Sequence, residues 1–148
     1  MPAKLRAAHE RAFTLVEILI VVVILGILAA IVVPQFTSAA ATTRENSTKM
    51  DLHRMRIQLE LYKEQHNGSY PSLANFVEQM TLASNALGVT APVGTSGYPL
   101  GPYITAVPVN PRLPSNSVSD GAIGSSGWYY NEATGELRAN DSAESALW

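Results

Sequence analysis

Glu17 is the one ionisable side chain between residues 13 and 33, a stretch of 21 positions whose last sixteen, 18–33, read ILIVVVILGILAAIVV. An acidic group in a membrane-spanning helix costs about 2.5–3.5 kcal/mol on insertion scales, and less near the interface. The carboxylate therefore either reaches back to the headgroup boundary or pairs with a cation. The basic side chains before it, Lys4, Arg6 and Arg11, all precede Ala12, and the next one after it is Arg44. A cut between Ala12 and Phe13 would free an α-amino group about one helical turn from Glu17, on its own chain or on that of a neighbouring subunit. Processing and ion pairing are the chemistry this segment offers.

No catalytic set accompanies it. His9 lies in the first twelve residues, and His53 and His66 read as solvated positions on the polar side of a helical segment. Gly94-Thr95-Ser96-Gly97 and Gly124-Ser125-Ser126-Gly127 lack the Gly-Lys-Ser/Thr of a phosphate-binding loop and read as flexible turns. Three Asn-x-Ser/Thr triplets, beginning at Asn46, Asn67 and Asn140, are short enough to arise by chance and are assigned no role. The absence of cysteine removes disulfides, thiolate metal sites and cysteine nucleophiles together. Ten basic against twelve acidic side chains exclude a polyanion-seeking surface, so no direct nucleic-acid partner is expected.

The elements that must position Glu17 follow from where the apolar residues fall. A chain of 148 residues allows one domain of ordinary size, and its 47% hydrophobic content is concentrated near one end. About 20 apolar residues span a hydrocarbon core, so 13–34 reads as one transmembrane helix. Residues 1–12 read as a basic leader kept cytoplasmic by Lys4, Arg6 and Arg11 against Glu10, which places the remainder on the other side. Two other readings remain open. One is a secretory signal peptide cut near Ser38-Ala39-Ala40-Ala41, and the other is a permanent anchor; both leave Glu17 without a role. Gly26 would let helices approach closely and Pro34 would bend or locally melt the helix, although membrane helices use both residues routinely.

Residues 35–67 read as an amphipathic continuation of the helix, free of proline and glycine to Gln65 and stopped by Asn67-Gly68. At about 100° per residue, Leu52, Met55, Leu59 and Tyr62 form one stripe, while Met50, Ile57 and Leu61 fall on nearly the opposite face. Two faces imply either two partners, the chain's own sheet and a neighbouring subunit, or a single core that takes both. Residues 68–148 then form a small α+β domain with a short helix over 73–87, a loop over 91–102, and strands at 104–107, 127–131 and 136–139. The last two strands form a hairpin through Glu132-Ala133-Thr134-Gly135. About 80 residues make a thin domain alone, and packing on the Leu52 stripe would give it a core.

Ala12-Phe13-Thr14-Leu15-Val16-Glu17-Ile18-Leu19, followed by Gly26, Ala29 and Pro34, resembles the prepilin cleavage and methylation segment of type IV pilins and type II secretion pseudopilins. The family most often has Gly before the cut, where Ala12 stands here. Tyr62 followed by Asn67-Gly68-Ser69-Tyr70-Pro71, then Gly101-Pro102-Tyr103-Ile104 and Gly127-Trp128-Tyr129-Tyr130, is more similar to the major pseudopilins. The resemblance implies a pilin-like α+β fold, a long N-terminal helix packed on a small antiparallel sheet. It implies cleavage between Ala12 and Phe13 by a prepilin peptidase, N-methylation of Phe13, and Glu17 setting the register of an incoming subunit against the Phe13 amine. The expected partners are further copies in a helical fibre, other pilins or pseudopilins and an inner-membrane assembly platform. The location is the bacterial inner membrane, with the C-terminal domain periplasmic or extracellular. The function implied is structural, in a secretion pseudopilus; a type IV pilin for adhesion, motility or DNA uptake is the alternative, and a membrane-tethered domain that never polymerises is another. No cofactor is required, although many major pseudopilins carry calcium near the C-terminus, for which Asp120 and Asp141 are the candidate ligands here.

Overall fold

The computed structural model describes residues 13–148. Their order is one long helix, α1 (Leu15–Gln65), a 3₁₀ turn (Leu73–Asn75), α2 (Phe76–Thr81), the strands β1 (Ala83–Ser84), β2 (Thr90–Ala91), β3 (Val118–Ser119), β4 (Trp128–Asn131) and β5 (Glu136–Ala139), and a final 3₁₀ turn (Ser145–Leu147). The chain divides into two compact units, Met1–Ala41 and Thr42–Trp148. In the first, no described residue is buried. In the second, α1 contributes a stripe to an α+β core.

That stripe is Thr48, Leu52, Met55, Leu59 and Tyr62, spaced alternately by four and three residues so that it keeps to one face of the helix. It meets Phe76, Met80, Tyr103, Val107, Trp128, Tyr130, Leu137 and Ala139 in one core. Each large apolar side chain buried there stabilises the fold by about 1.5–3 kcal/mol. Met50, Ile57 and Leu61 remain 52%, 51% and 43% exposed, which settles the earlier alternative: the second face is not part of the chain's own core.

α1 ends where Asn67 adopts a left-handed backbone (φ 56°) and the Gly68 amide donates to the Lys63 carbonyl, a Schellman closure with asparagine in the usual glycine place. The helix passes without interruption through Gly26 and Pro34. At Pro34 the chain is helical rather than melted: Pro34 withholds one amide donor, and the rest of the ladder carries the helix past it.

The sheet is small and mixed. β4 and β5 form the expected antiparallel hairpin, with Trp128 opposite Ala139 and Tyr130 opposite Leu137. Trp128 and Tyr130 face the core while their neighbours on the strand are only half-buried, the period of two that a one-sided sheet requires. The polar end of each ring is satisfied: Trp128 Nε1 donates to the Pro108 carbonyl at 2.8 Å, and the Tyr130 hydroxyl donates to the Pro71 carbonyl at 2.7 Å. At the hairpin turn Gly135 has φ 73°, and a β-carbon there would overlap the Tyr70 ring. Only glycine fits.

Three expectations are corrected. β3 runs parallel to β4, so the sheet is not purely antiparallel. Residues 104–107 are not a strand: the Tyr103 and Ile104 amides both donate to the Met80 carbonyl, and Pro102 and Pro108 deprive the segment of ladder donors on either side. The short helix stops at Thr81, because Ser84 turns into backbone pairing with Leu100 and Thr90.

Candidate assembly site at the start of the long helix

α1 begins with a reciprocal set of hydrogen bonds that spans one turn. The Thr14 amide and hydroxyl donate to Glu17 Oε2 at 2.8 and 2.9 Å, and the Glu17 amide donates back to the Thr14 hydroxyl at 3.2 Å. This is a capping box, Thr at the N-cap and Glu three residues on, which satisfies amides that the first helical turn leaves without partners. Thr14 therefore supplies Glu17 with neutral donors where a cation was expected, and the sequence signal is Thr14-x-x-Glu17 itself.

The box neutralises no charge. Among the described residues Glu17 forms no ion pair, and its remaining acceptor capacity faces outward. Phe13 stands immediately before it, exposed, and here its nitrogen is an amide because residues 1–12 precede it. Ala12, the other side of the expected cut, lies outside the described residues, as do Lys4, Arg6, Arg11 and His9. Behind Glu17 the side chains from Ile18 to Val33 are exposed all round the helix, at Gly26 as elsewhere. A helix apolar on every side belongs in a membrane or in the core of a larger assembly.

The other candidates fall in the second unit. His53 is exposed, but His66 is buried at 3% exposure, contrary to the solvated reading. Its ring stacks on Tyr62 with centroids 3.7 Å apart; Nδ1 donates to the Tyr62 carbonyl at 2.8 Å, and Nε2 meets the Ser84 hydroxyl at 3.1 Å. His66 lies four residues past Tyr62 and so continues the core stripe by one more turn. Burial pushes the Tyr62 hydroxyl up to about 12 and raises Tyr103 and Tyr130 in the same direction. Arg56, which the sequence reading did not single out, donates Nε and Nη2 to the Leu137 carbonyl at 2.9 and 2.7 Å and thus fastens α1 to β5.

Asp120 and Asp141, the calcium candidates, sit in different surroundings. Asp120 is exposed, and among the described residues no three or more His, Asp or Glu side chains gather as ligands. The Asp141 side chain is only 6% exposed, and both of its oxygens are taken: Oδ2 by Arg112 Nε at 2.7 Å and Oδ1 by Asn110 Nδ2 at 3.2 Å. Asn140 Oδ1 is buried without a partner, while calcium takes six to eight oxygens, usually with several carboxylates. The donor set does not fit that metal.

Comparison with known proteins converges on the same end of the helix. The family described as "Prokaryotic N-terminal methylation motif" matches residues 8–33. The type II secretion system core protein G of Pseudomonas aeruginosa is 42% identical over 72 residues, 49% of this chain and 50% of that protein. The protein of the same name from Dickeya chrysanthemi is 32% identical over 103 residues, 70% of this chain and 63% of its own length. That from Klebsiella pneumoniae is 32% identical over 103 residues, 70% of this chain and 69% of its length. The chain thus spans half to just under two thirds of the first two relatives. No solved structure matches it. On the Klebsiella likeness together with the methylation motif, the chain belongs to the family of the type II secretion system core protein G.

Proposed function

We propose that this protein is the structural subunit of a pilin-like fibre, the pseudopilus of a type II secretion system, and that it acts mechanically rather than as an enzyme. The observation that carries the reading is the first part of α1: apolar on every side from Ile18 to Val33, without a partner in its own chain, and opened by Phe13, Thr14 and Glu17. A prepilin peptidase cuts after Ala12 and methylates the new Phe13 amine, which keeps its positive charge. The subunit waits in the inner membrane with residues 1–12 on the cytoplasmic side and the domain 42–148 on the periplasmic side, and an assembly platform delivers it to the fibre.

Glu17 has distinct partners in the two states. In the single subunit the capping box with Thr14 makes the carboxylate tolerable at the membrane boundary. In the fibre core the Phe13 ammonium of a neighbour supplies the counter-charge, and because a buried carboxylate is costly without one, the pairing selects a single register. The exposed face of Met50, Ile57 and Leu61 continues the contact with other copies farther along the helix.

Glu17→Ala tests this in cells that lack the chromosomal copy. Membrane insertion stays at the wild-type level, while fibres recovered by shearing, cross-links between copies and release of secreted enzymes all fall to background. Wild-type secretion by Glu17→Ala would make the chain a tether. A surface pilus lost with this chain while secretion persists would identify a type IV pilin instead.

A further inference from the structure

We propose that the guanidinium of Arg112 is the fixed cation of the C-terminal loops, so that the domain 42–148 holds its fold without calcium. Arg112 pairs through Nε with Asp141 Oδ2 at 2.7 Å, and the two side chains are only 26% and 6% exposed. The carboxylate's other oxygen accepts from Asn110 Nδ2, which also donates to the Gly127 carbonyl at 2.9 Å. Asn110 is fully buried, and its Oδ1 accepts from the Arg112 amide at 2.9 Å and lies 3.4 Å from the Thr48 hydroxyl, whose proton goes chiefly to the Arg44 carbonyl at 2.8 Å. Both ends of the amide are thereby satisfied, and four segments meet on it: α1 at Thr48, the turn at 110–112, Gly127 just before β4, and the tail at Asp141.

The arrangement does what a loop-binding metal does, by other means. A divalent cation gathers oxygens from separate segments and neutralises their charge; here the charge to be neutralised is the single carboxylate of Asp141, and a planar monocation suffices. The guanidinium carbon also lies 5.1 Å from the centre of the Trp148 ring, within cation–π range, so the last residues are drawn to the same point. The Gly127 backbone allows the close approach, because a β-carbon there would overlap the Ser115 carbonyl. An ion pair this enclosed differs from a solvent-exposed one: removing one partner leaves the other charged and buried.

The test is thermal unfolding of the full chain in detergent, followed by tryptophan fluorescence, with calcium at millimolar concentration or with EDTA in its place. The midpoints agree within about 1 °C, since a ligand stabilises only the state it binds. Arg112→Met, which keeps the packing volume and removes the charge, lowers the midpoint by about 10 °C. Arg112→Met combined with Asp141→Asn recovers at least about half of that loss, because no charge remains unpaired. Three results would overturn the proposal: a rise of more than about 5 °C on adding calcium to the wild-type chain, an unchanged midpoint in Arg112→Met, or a double variant no more stable than the single one. Should Arg112→Met not fold, the calcium and EDTA comparison on the wild-type chain decides alone. None of these readouts involves fibre assembly, so the inference stands or falls apart from the function proposed above.

Discussion

α1 is one continuous helix made of two kinds of sequence, and the contrast between them separates folding from assembly. From Leu15 to Ala41 every described side chain is exposed, although this part of the helix is long and apolar enough to cross a membrane. From Thr42 to Gln65 polar and apolar residues alternate with helical period, and one face disappears into a core. The more hydrophobic half thus contributes nothing to the fold of a single chain, and the less hydrophobic half supplies the wall against which the domain is built. Hydrophobicity alone says that a segment wants burial; its periodicity says whether the chain itself provides it.

The contrast breaks if truncations in the two halves cost the same. Leu59→Ala removes a side chain that is 1% exposed in the core and should destabilise the domain by about 2–5 kcal/mol. Leu25→Ala, at a position 57% exposed, should leave the domain's unfolding within about 0.5 kcal/mol of wild type. Chemical denaturation of both variants, read at the tryptophans of the domain, makes the comparison. A large loss in Leu25→Ala would mean that the apolar half supports the fold after all.

Alkaline pH sharpens the core side of the contrast by a smaller amount. The Tyr62 hydroxyl is pushed up to about 12 by burial, against about 10 in an unfolded chain. A folded-state pKa above the unfolded one gives a contribution that is complete below pH 10 and is lost as pH rises from 10 towards 12. The wild-type denaturation midpoint should fall across that window more steeply than that of Tyr62→Phe. Equal slopes would show that Tyr62 ionises as readily in the fold as outside it.

The smallest effect on stability is expected on the outer face of the second half, where it matters most for the function proposed. Ile57→Ser alters a residue that is 51% exposed and should leave the domain's stability within about 0.5 kcal/mol of wild type. Cross-linking between copies should nevertheless drop several-fold. Unchanged cross-linking would remove this face from the assembly surface.

Much of this was legible in the sequence because it rests on periodicity. The stripe of Leu52, Met55, Leu59 and Tyr62 and the hairpin of Trp128–Asn131 with Glu136–Ala139 follow from spacings of 3.6 and 2. What escaped depends on contacts distant in sequence. The supposed strand at 104–107 is held by single bonds to Met80 instead of by a ladder, and β3 joins the sheet with only two residues. His66 was legible and misread: histidine suggests solvent, but its place four residues beyond Tyr62 puts it on the buried stripe. At the candidate site, the charge of Glu17 points to a cation, whereas the partners it has in the single chain are the neutral hydroxyl and amide of Thr14. Arg112 and Asp141 lie 29 positions apart, and neither residue type announces the pairing; only the folded loops do.

The account turns on what happens between Ala12 and Phe13, and the direct measurement is the mass and N-terminal sequence of the protein extracted from membranes. A chain that begins at Phe13 and carries one added methyl group is the expected result, since it supplies the amine proposed to pair with Glu17 in a fibre. A chain that begins at Met1 would contradict the account by leaving that amine unmade. One that begins beyond Ala40 would contradict it more deeply, because the apolar half of α1 would then be a discarded signal and no part of the working protein.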